Sequence, residues 1–186
     1  MTSRSSARDL LGHLRKVRQV RQYRPDSVPS DAVAELLEVA RWTGSSRNTQ
    51  PWHFVVVDDR DLLRRLSQLR PAITWIAGAP LGIAIVLDGA SEISEAYDEG
   101  RVSERLLIAA TALGLGGGVA WYGDATQQAE AKRLLGIPPE RTARSIVTIG
   151  YPHSVRDPRP STARRGRKPL AEIVSLNSFG TRWPST

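Results

Sequence analysis

Apolar positions along this chain repeat with two periods. Leu10, Leu11 and Leu14 recur at helical spacing and predict a short helix over residues 9–16. Val33, Leu36, Leu37 and Ala40 predict a second helix, opened by Pro29-Ser30-Asp31 with Ser30 as its N-cap and ending near Trp42. Leu62, Leu63, Leu66 and Leu69 predict a third over residues 61–69. A long, nearly all-round apolar helix is expected over residues 97–113, central to the core, and another over 126–135, closed by Gly136-Ile137-Pro138-Pro139. Between the helices stand Val-, Ile- and aromatic-rich runs that predict strands: 52–57, 79–88, 119–122 and 145–149. Both faces of 52–57 are largely apolar, which predicts a central, doubly covered strand. Helices and strands without strict βαβ alternation give an α+β class.

Three stretches break these periods. Residues 17–23 are short, basic and stopped by Pro25, so they are read as extended backbone. Thr43-Gly44-Ser45-Ser46-Arg47-Asn48-Thr49-Gln50-Pro51 is a polar loop between a helix and a strand. Its hydroxyl and amide groups suit a flat polar heterocycle, or equally a loop that caps its own backbone. Gly114 to Gly118 ends the long helix with flexible backbone that would let a planar ring approach closely; the alternative is a helix cap, but the Gly116–Gly118 triplet exceeds what a cap requires. The run is no dinucleotide fingerprint, because position 119 is Val and a helix precedes it.

Composition then narrows the chemistry. The chain has 186 residues, enough for one domain with a sizeable core, and no internal repeats. Residues 1–12 are expected to be disordered, and 13–186 to form a single domain that includes an arm over 152–186. No apolar stretch approaches the roughly 20 residues of a membrane helix, and the N-terminus lacks the apolar core of a secretion signal. Absence of cysteine excludes disulfides, thiolate metal sites and Cys nucleophiles, and fits a reducing cytoplasm. The three histidines lack metal-type spacing, and His53 is expected to pack on its strand. Asp98-Glu99 is expected to be solvated. Trp42, Trp52, Trp75 and Trp121 are expected mostly in the core, with Trp75 and Trp121 also candidates to wall a substrate pocket. No P-loop and no G-x-S-x-G elbow occur. The formal net charge of +7 gathers in residues 15–24 and 156–168, which favours an anionic partner.

Ser45, Ser46, Asn48, Gln50, Pro51 and Trp52 resemble, position by position, the Ser-Ser-x-Asn-x-Gln-Pro-Trp motif of the nitroreductase family. Gly44 departs from it, since many members carry Pro there. Gly114-Leu115-Gly116, Leu135-Gly136-Ile137-Pro138, Ile149-Gly150-Tyr151-Pro152 and Arg165-Gly166-Arg167-Lys168-Pro169-Leu170 are similar to further landmarks, in family order. The resemblance implies a nitroreductase-like fold: a central, mainly antiparallel sheet flanked by helices, with a C-terminal arm exchanged across a homodimer. It implies FMN as cofactor and NADH or NADPH as co-substrate. Ser45, Ser46, Asn48 and Gln50 would hold the ring and ribityl chain. Gly117, Gly118, Val119, Ala120 and Trp121 would lie along the ring. Arg18, Gln19, Arg21, Arg165 and Arg167 would serve the phosphate end. Gln19 stands where Ser is usual and Val17 where a first Arg is usual. No side chain is expected to be catalytic and no metal is implied; flavin N5 would carry hydride to a nitroaromatic, quinone or similar acceptor. Two alternatives stand beside this: the same fold with other flavin chemistry, or a basic nucleic-acid-binding domain.

Overall fold

The computed structural model describes residues 4–153 and 167–183. The chain divides into two compact units, Met1–Ser154 and Val155–Thr186. In the first unit the elements run α1 (Arg4–Lys16), α2 (Ser30–Arg41), β1 (Trp52–Val57), α3 (Arg60–Ser67), β2 (Leu81–Leu87), α4 (Glu92–Ala112), β3 (Gly116–Trp121), α5 (Ala125–Leu135) and β4 (Ser145–Gly150). Short 3₁₀ turns occupy Ser46–Asn48 and Pro71–Gly78. The helix α1 covers residues 4–12, which composition alone reads as disordered. Pro29, not Ser30, caps α2; Ser30 is already helical, and Pro supplies the extended φ that starts the helix without a side-chain bond.

The four strands form one antiparallel sheet in the order β1-β2-β4-β3. The chain therefore has the expected α+β architecture, an antiparallel sheet flanked by helices. Every residue of β2 and β4 is buried, as befits the two central strands. The expectation for β1 is corrected: it is an edge strand with Val56 40% exposed, and its apolar outer residues are only half covered. Apolarity on both faces of a strand does not distinguish a central position from an edge.

Two clusters of buried side chains lie on the two faces of the sheet. Leu36, Ile83, Ile85, Leu106 and Ile149 belong to one, with α2 and α4. Leu63, Leu66, Ile76, Ala84 and Tyr122 belong to the other, with α3 and the 71–78 turn. The pair Asp98-Glu99, expected in solvent, is buried on α4. Asp98 accepts from Arg101, and Glu99 accepts from Arg144 at 3.1 Å and from the Ser145 hydroxyl. A buried carboxylate survives because such partners replace its water. These bonds tie α4 to the start of β4.

The second unit holds α6 (Leu170–Ile173) and a turn closed by a Ser175–Arg182 bridge. Its Leu170, Ile173 and Phe179 side chains are exposed. Among the described residues, no helix is long and apolar enough to cross a membrane.

Candidate functional site

The polar loop is held under strain. Arg47, Asn48 and Gln50 all have positive φ, at 53°, 56° and 49°. Asn tolerates that region, but Arg and Gln each cost on the order of 1–3 kcal/mol there. The surroundings fix the conformation. The Ser45 hydroxyl accepts the Gln50 N–H at 2.9 Å, closing the loop on itself. From α4, Arg101 donates to the Gly44 carbonyl at 3.2 Å and Arg105 to the Trp42 carbonyl at 2.9 Å. The backbone-capping reading is thus realised for Ser45. Thr43 is buried, with its hydroxyl unpartnered among the described residues, whereas Ser46 to Gln50 are exposed. Ser46, Arg47 and Thr49 border a cleft of about 340 Å³ against Ser94, Glu95 and Asp98. Gln50 borders another, of about 520 Å³, with Glu38, Arg41 and Trp52. His53, expected to be packed, is exposed on the β1 edge, and Trp42 is 67% exposed over Arg41. Glu38 accepts from both Arg41 and the Trp42 indole, which pulls its carboxyl down to about 2.

The second part of the site is the outer edge of β3. Residues 17–24 run extended beside it. The Val20 N–H donates to the Gly117 carbonyl at 2.7 Å, and the Gln19 side-chain oxygen accepts the Val119 N–H at 2.8 Å. Farther on, the Arg24 N–H donates to the Tyr151 carbonyl and the His153 N–H to the Gln22 carbonyl. Tyr23 pins the crossing. Its hydroxyl lies 2.6 Å from the Val20 carbonyl and 2.7 Å from the Thr148 hydroxyl, and burial pushes its pKa up.

This contact explains the glycines. Gly116, Gly117 and Gly118 are not a flexible stop after the helix; they are the first half of β3. A Cβ on Gly116 would meet Val20 at 2.6 Å, and one on Gly117 would meet Leu107 at 2.6 Å. One on Gly118 would strike the Val20 carbonyl oxygen and the Trp75 ring. The run makes room for the protein's own N-terminal segment. Close packing against that segment has no local signature in the sequence.

Successive residues of β3 present their amides alternately to β4 and to the outer edge. Gly117, Val119 and Trp121 face outward. With Val119 held by Gln19, the Trp121 N–H is an outward donor without a partner among the described residues. The Trp121 side chain, expected in the core, is 51% exposed, and Ala120 is buried. Arg18 donates to the Arg15 and Val17 carbonyls, and Arg21 stacks 5.4 Å over the Trp75 ring. Arg167 lies in the second unit, and Arg165 lies outside the described residues. The structure thus brings Gln19 together with Val119, and Ser45 with Gln50. Two features the sequence reading missed are Arg101 and Arg105, whose spacing of four puts them on one helix face under the loop.

Comparison with known proteins identifies the class that carries this fold and loop. The chain belongs to the nitroreductase family, whose model matches residues 14–74, and it is an oxidoreductase. An Archaeoglobus fulgidus protein, provisionally named NADH dehydrogenase/NAD(P)H nitroreductase, is 30% identical over 149 residues, covering 75% of this chain and 83% of its own. An FMN-dependent nitroreductase from Clostridium difficile superposes with a TM-score of 0.78 at 25% identity, over 91% of this chain and 99% of its own. A provisionally named nitroreductase from Desulfovibrio desulfuricans, solved in complex with FMN, does so with a TM-score of 0.74 at 27% identity, over 91% and 97%.

Proposed function

We propose that this chain is an FMN-dependent enzyme that passes hydride from NADH or NADPH to a small oxidised acceptor such as a nitroaromatic or quinone. The observation that carries the reading is the pre-set loop from Ser45 to Gln50. A loop whose own hydrogen bonds hold Arg47 and Gln50 in left-handed conformations is suited to a fixed polar partner. The donor set fits FMN. Ser46, Asn48 and Gln50 offer hydroxyl and amide groups to a ring and ribityl chain. The Trp121 N–H is an outward donor suited to a ring nitrogen. The guanidinium groups of Arg18, Arg21, Arg165 and Arg167 match phosphate oxygens in charge and shape. Gln19 acts through Val119, holding the β3 edge in place. Gly117, Gly118 and Ala120 shape that edge.

Bound FMN supplies hydride acceptance and donation, so the protein's task is to bind, orient and exclude. We further propose a homodimer in which the arm over 152–186 lies on the partner and brings Arg165 and Arg167 to the phosphate. Residues 13–186 then act as one functional domain. Absence of cysteine fits a cytoplasmic setting.

The test is spectroscopic. The purified protein is expected to be yellow with non-covalent FMN, and NADH or NADPH is expected to bleach it anaerobically. Arg167→Ala is expected to weaken FMN about 10- to 150-fold, since a charge-assisted hydrogen bond contributes roughly 1.5–3 kcal/mol. A colourless protein that takes up no FMN would overturn the reading. A yellow protein that neither nucleotide bleaches would favour another flavin chemistry on the same fold.

A further inference from the structure

Arg70 has no place in the cofactor site, yet its position is built with care. It is the residue before the 71–78 turn, and its carbonyl accepts the Ile73 N–H at 3.1 Å. The neighbouring Leu69 carbonyl accepts from the Gln127 side chain at 3.1 Å, and the Gln127 oxygen in turn accepts the Asp124 N–H at 2.9 Å. That chain of bonds locks the start of α5 to the backbone beside Arg70. The Arg70 side chain then crosses the end of β3. Its guanidinium carbon stands 4.9 Å from the centre of the Trp121 ring, and its Nη1 makes a long contact of 3.5 Å to the Trp121 carbonyl. No carboxylate among the described residues pairs with it, although seven other arginines have such partners.

A cation stacked on an indole and left without a counter-ion is a receptor for a planar anion. The indole offers a face to an aromatic ring, and the guanidinium offers paired donors to a carboxylate. Here the two sit on the residue whose own N–H is the outward donor of β3. Whatever stacks beside that edge must pass this pair.

We propose that Arg70 and Trp121 form a selectivity subsite for the acceptor, and that the preferred acceptor is an aromatic ring bearing a carboxylate. The inference rests on the FMN reading for its location, at the mouth of the proposed ring site. Arg70 is a specificity residue and takes no part in holding the cofactor.

Two probes of like shape, one anionic and one neutral, give the test, and their different ease of reduction cancels when the native and variant ratios are compared. 4-Nitrobenzoate and 4-nitrobenzamide are compared as acceptors with saturating nicotinamide nucleotide. The readout is kcat/KM for each, and the native enzyme is expected to bind the carboxylate more tightly. Arg70→Gln is expected to lower the carboxylate-to-amide ratio roughly 1.5- to fivefold, the range of an exposed ion pair. Arg70→Lys, which keeps charge but loses the planar stack, is expected to restore part of it. Flavin content and Tm report any structural damage separately. Binding of both probes, read by quenching of tryptophan fluorescence, gives the same comparison without turnover. A carboxylate-to-amide ratio unchanged in Arg70→Gln, or native binding that favours the amide in the fluorescence comparison, overturns the subsite. An enzyme without flavin overturns the parent reading, while the fluorescence comparison still decides whether Arg70 selects an anion.

Discussion

Tyr122 is the largest side chain sealed completely from solvent, and its hydroxyl has no hydrogen-bond partner among the described residues. Burial and the nearby Glu99 carboxylate push its pKa up, so it remains a neutral phenol. An orphaned buried hydroxyl costs about 1–3 kcal/mol, whereas the ring packs as Phe would. Tyr122→Phe is therefore expected to unfold at the same or higher urea concentration than the native chain. A loss of more than about 1 kcal/mol, of the size expected when a bonded hydroxyl is removed, would refute this. Tyr122 also shows what a sequence hides at this scale. Its neighbour Trp121 is half exposed, and only the sheet's two faces decide which of the two is sealed. The same holds for Asp98 and Glu99: adjacency suggested solvent, while the depth of α4 beneath Arg101, Arg144 and Ser145 put both inside.

The elements themselves were largely legible. Helix periods placed α2 to α5 within a few residues, because amphipathic faces must meet the core. Gly136 closes α5 in the left-handed conformation, as the Gly-Ile-Pro-Pro sequence suggests. Positions in the sheet were less legible, since strand order depends on pairing between distant segments. The glycines make this concrete. Gly44, where many family members have Pro, faces open space, and its φ lies outside the left-handed range. Gly44→Ala is expected to be neutral or to stabilise by about 0.4–1 kcal/mol, through the unfolded chain. Gly118→Ala forces a methyl onto the Val20 carbonyl and the Trp75 ring, and the backbone there has nowhere to go. It is expected to lower Tm by several degrees and to strip bound flavin. Equal stability of the two variants would mean that the N-terminal segment does not lie against β3.

At the scale of the whole molecule, the proposed dimer has a direct test. The second unit is too short to bury Leu170, Ile173 and Phe179 within itself, and all three are exposed. Deleting the chain from Leu170 onward is expected to lower dimer stability and flavin retention together. Sedimentation of the truncated protein as a flavin-loaded dimer, as stable as the full chain, would contradict the arm's role. The loop motif announced the polar half of the site, because its side chains are consecutive. The β3 half was named only through the family resemblance, and the contact of Gln19 with Val119, across one hundred positions of sequence, was not legible.

That separation has a consequence for how the molecule is made. Residues 17–24 leave the ribosome early, yet β3 and the 151–153 stretch that receive them are among the last parts of the first unit to be synthesised. Closing so long a loop is entropically costly until the core already holds both ends near each other. The N-terminal segment must wait, unpaired and basic, for most of translation. Contacts between α2 and α4 lie wholly within earlier-made chain and can form before it docks, while the strand edge waits for both of its segments. The β3 edge is complete only when segments one hundred positions apart in the sequence have met.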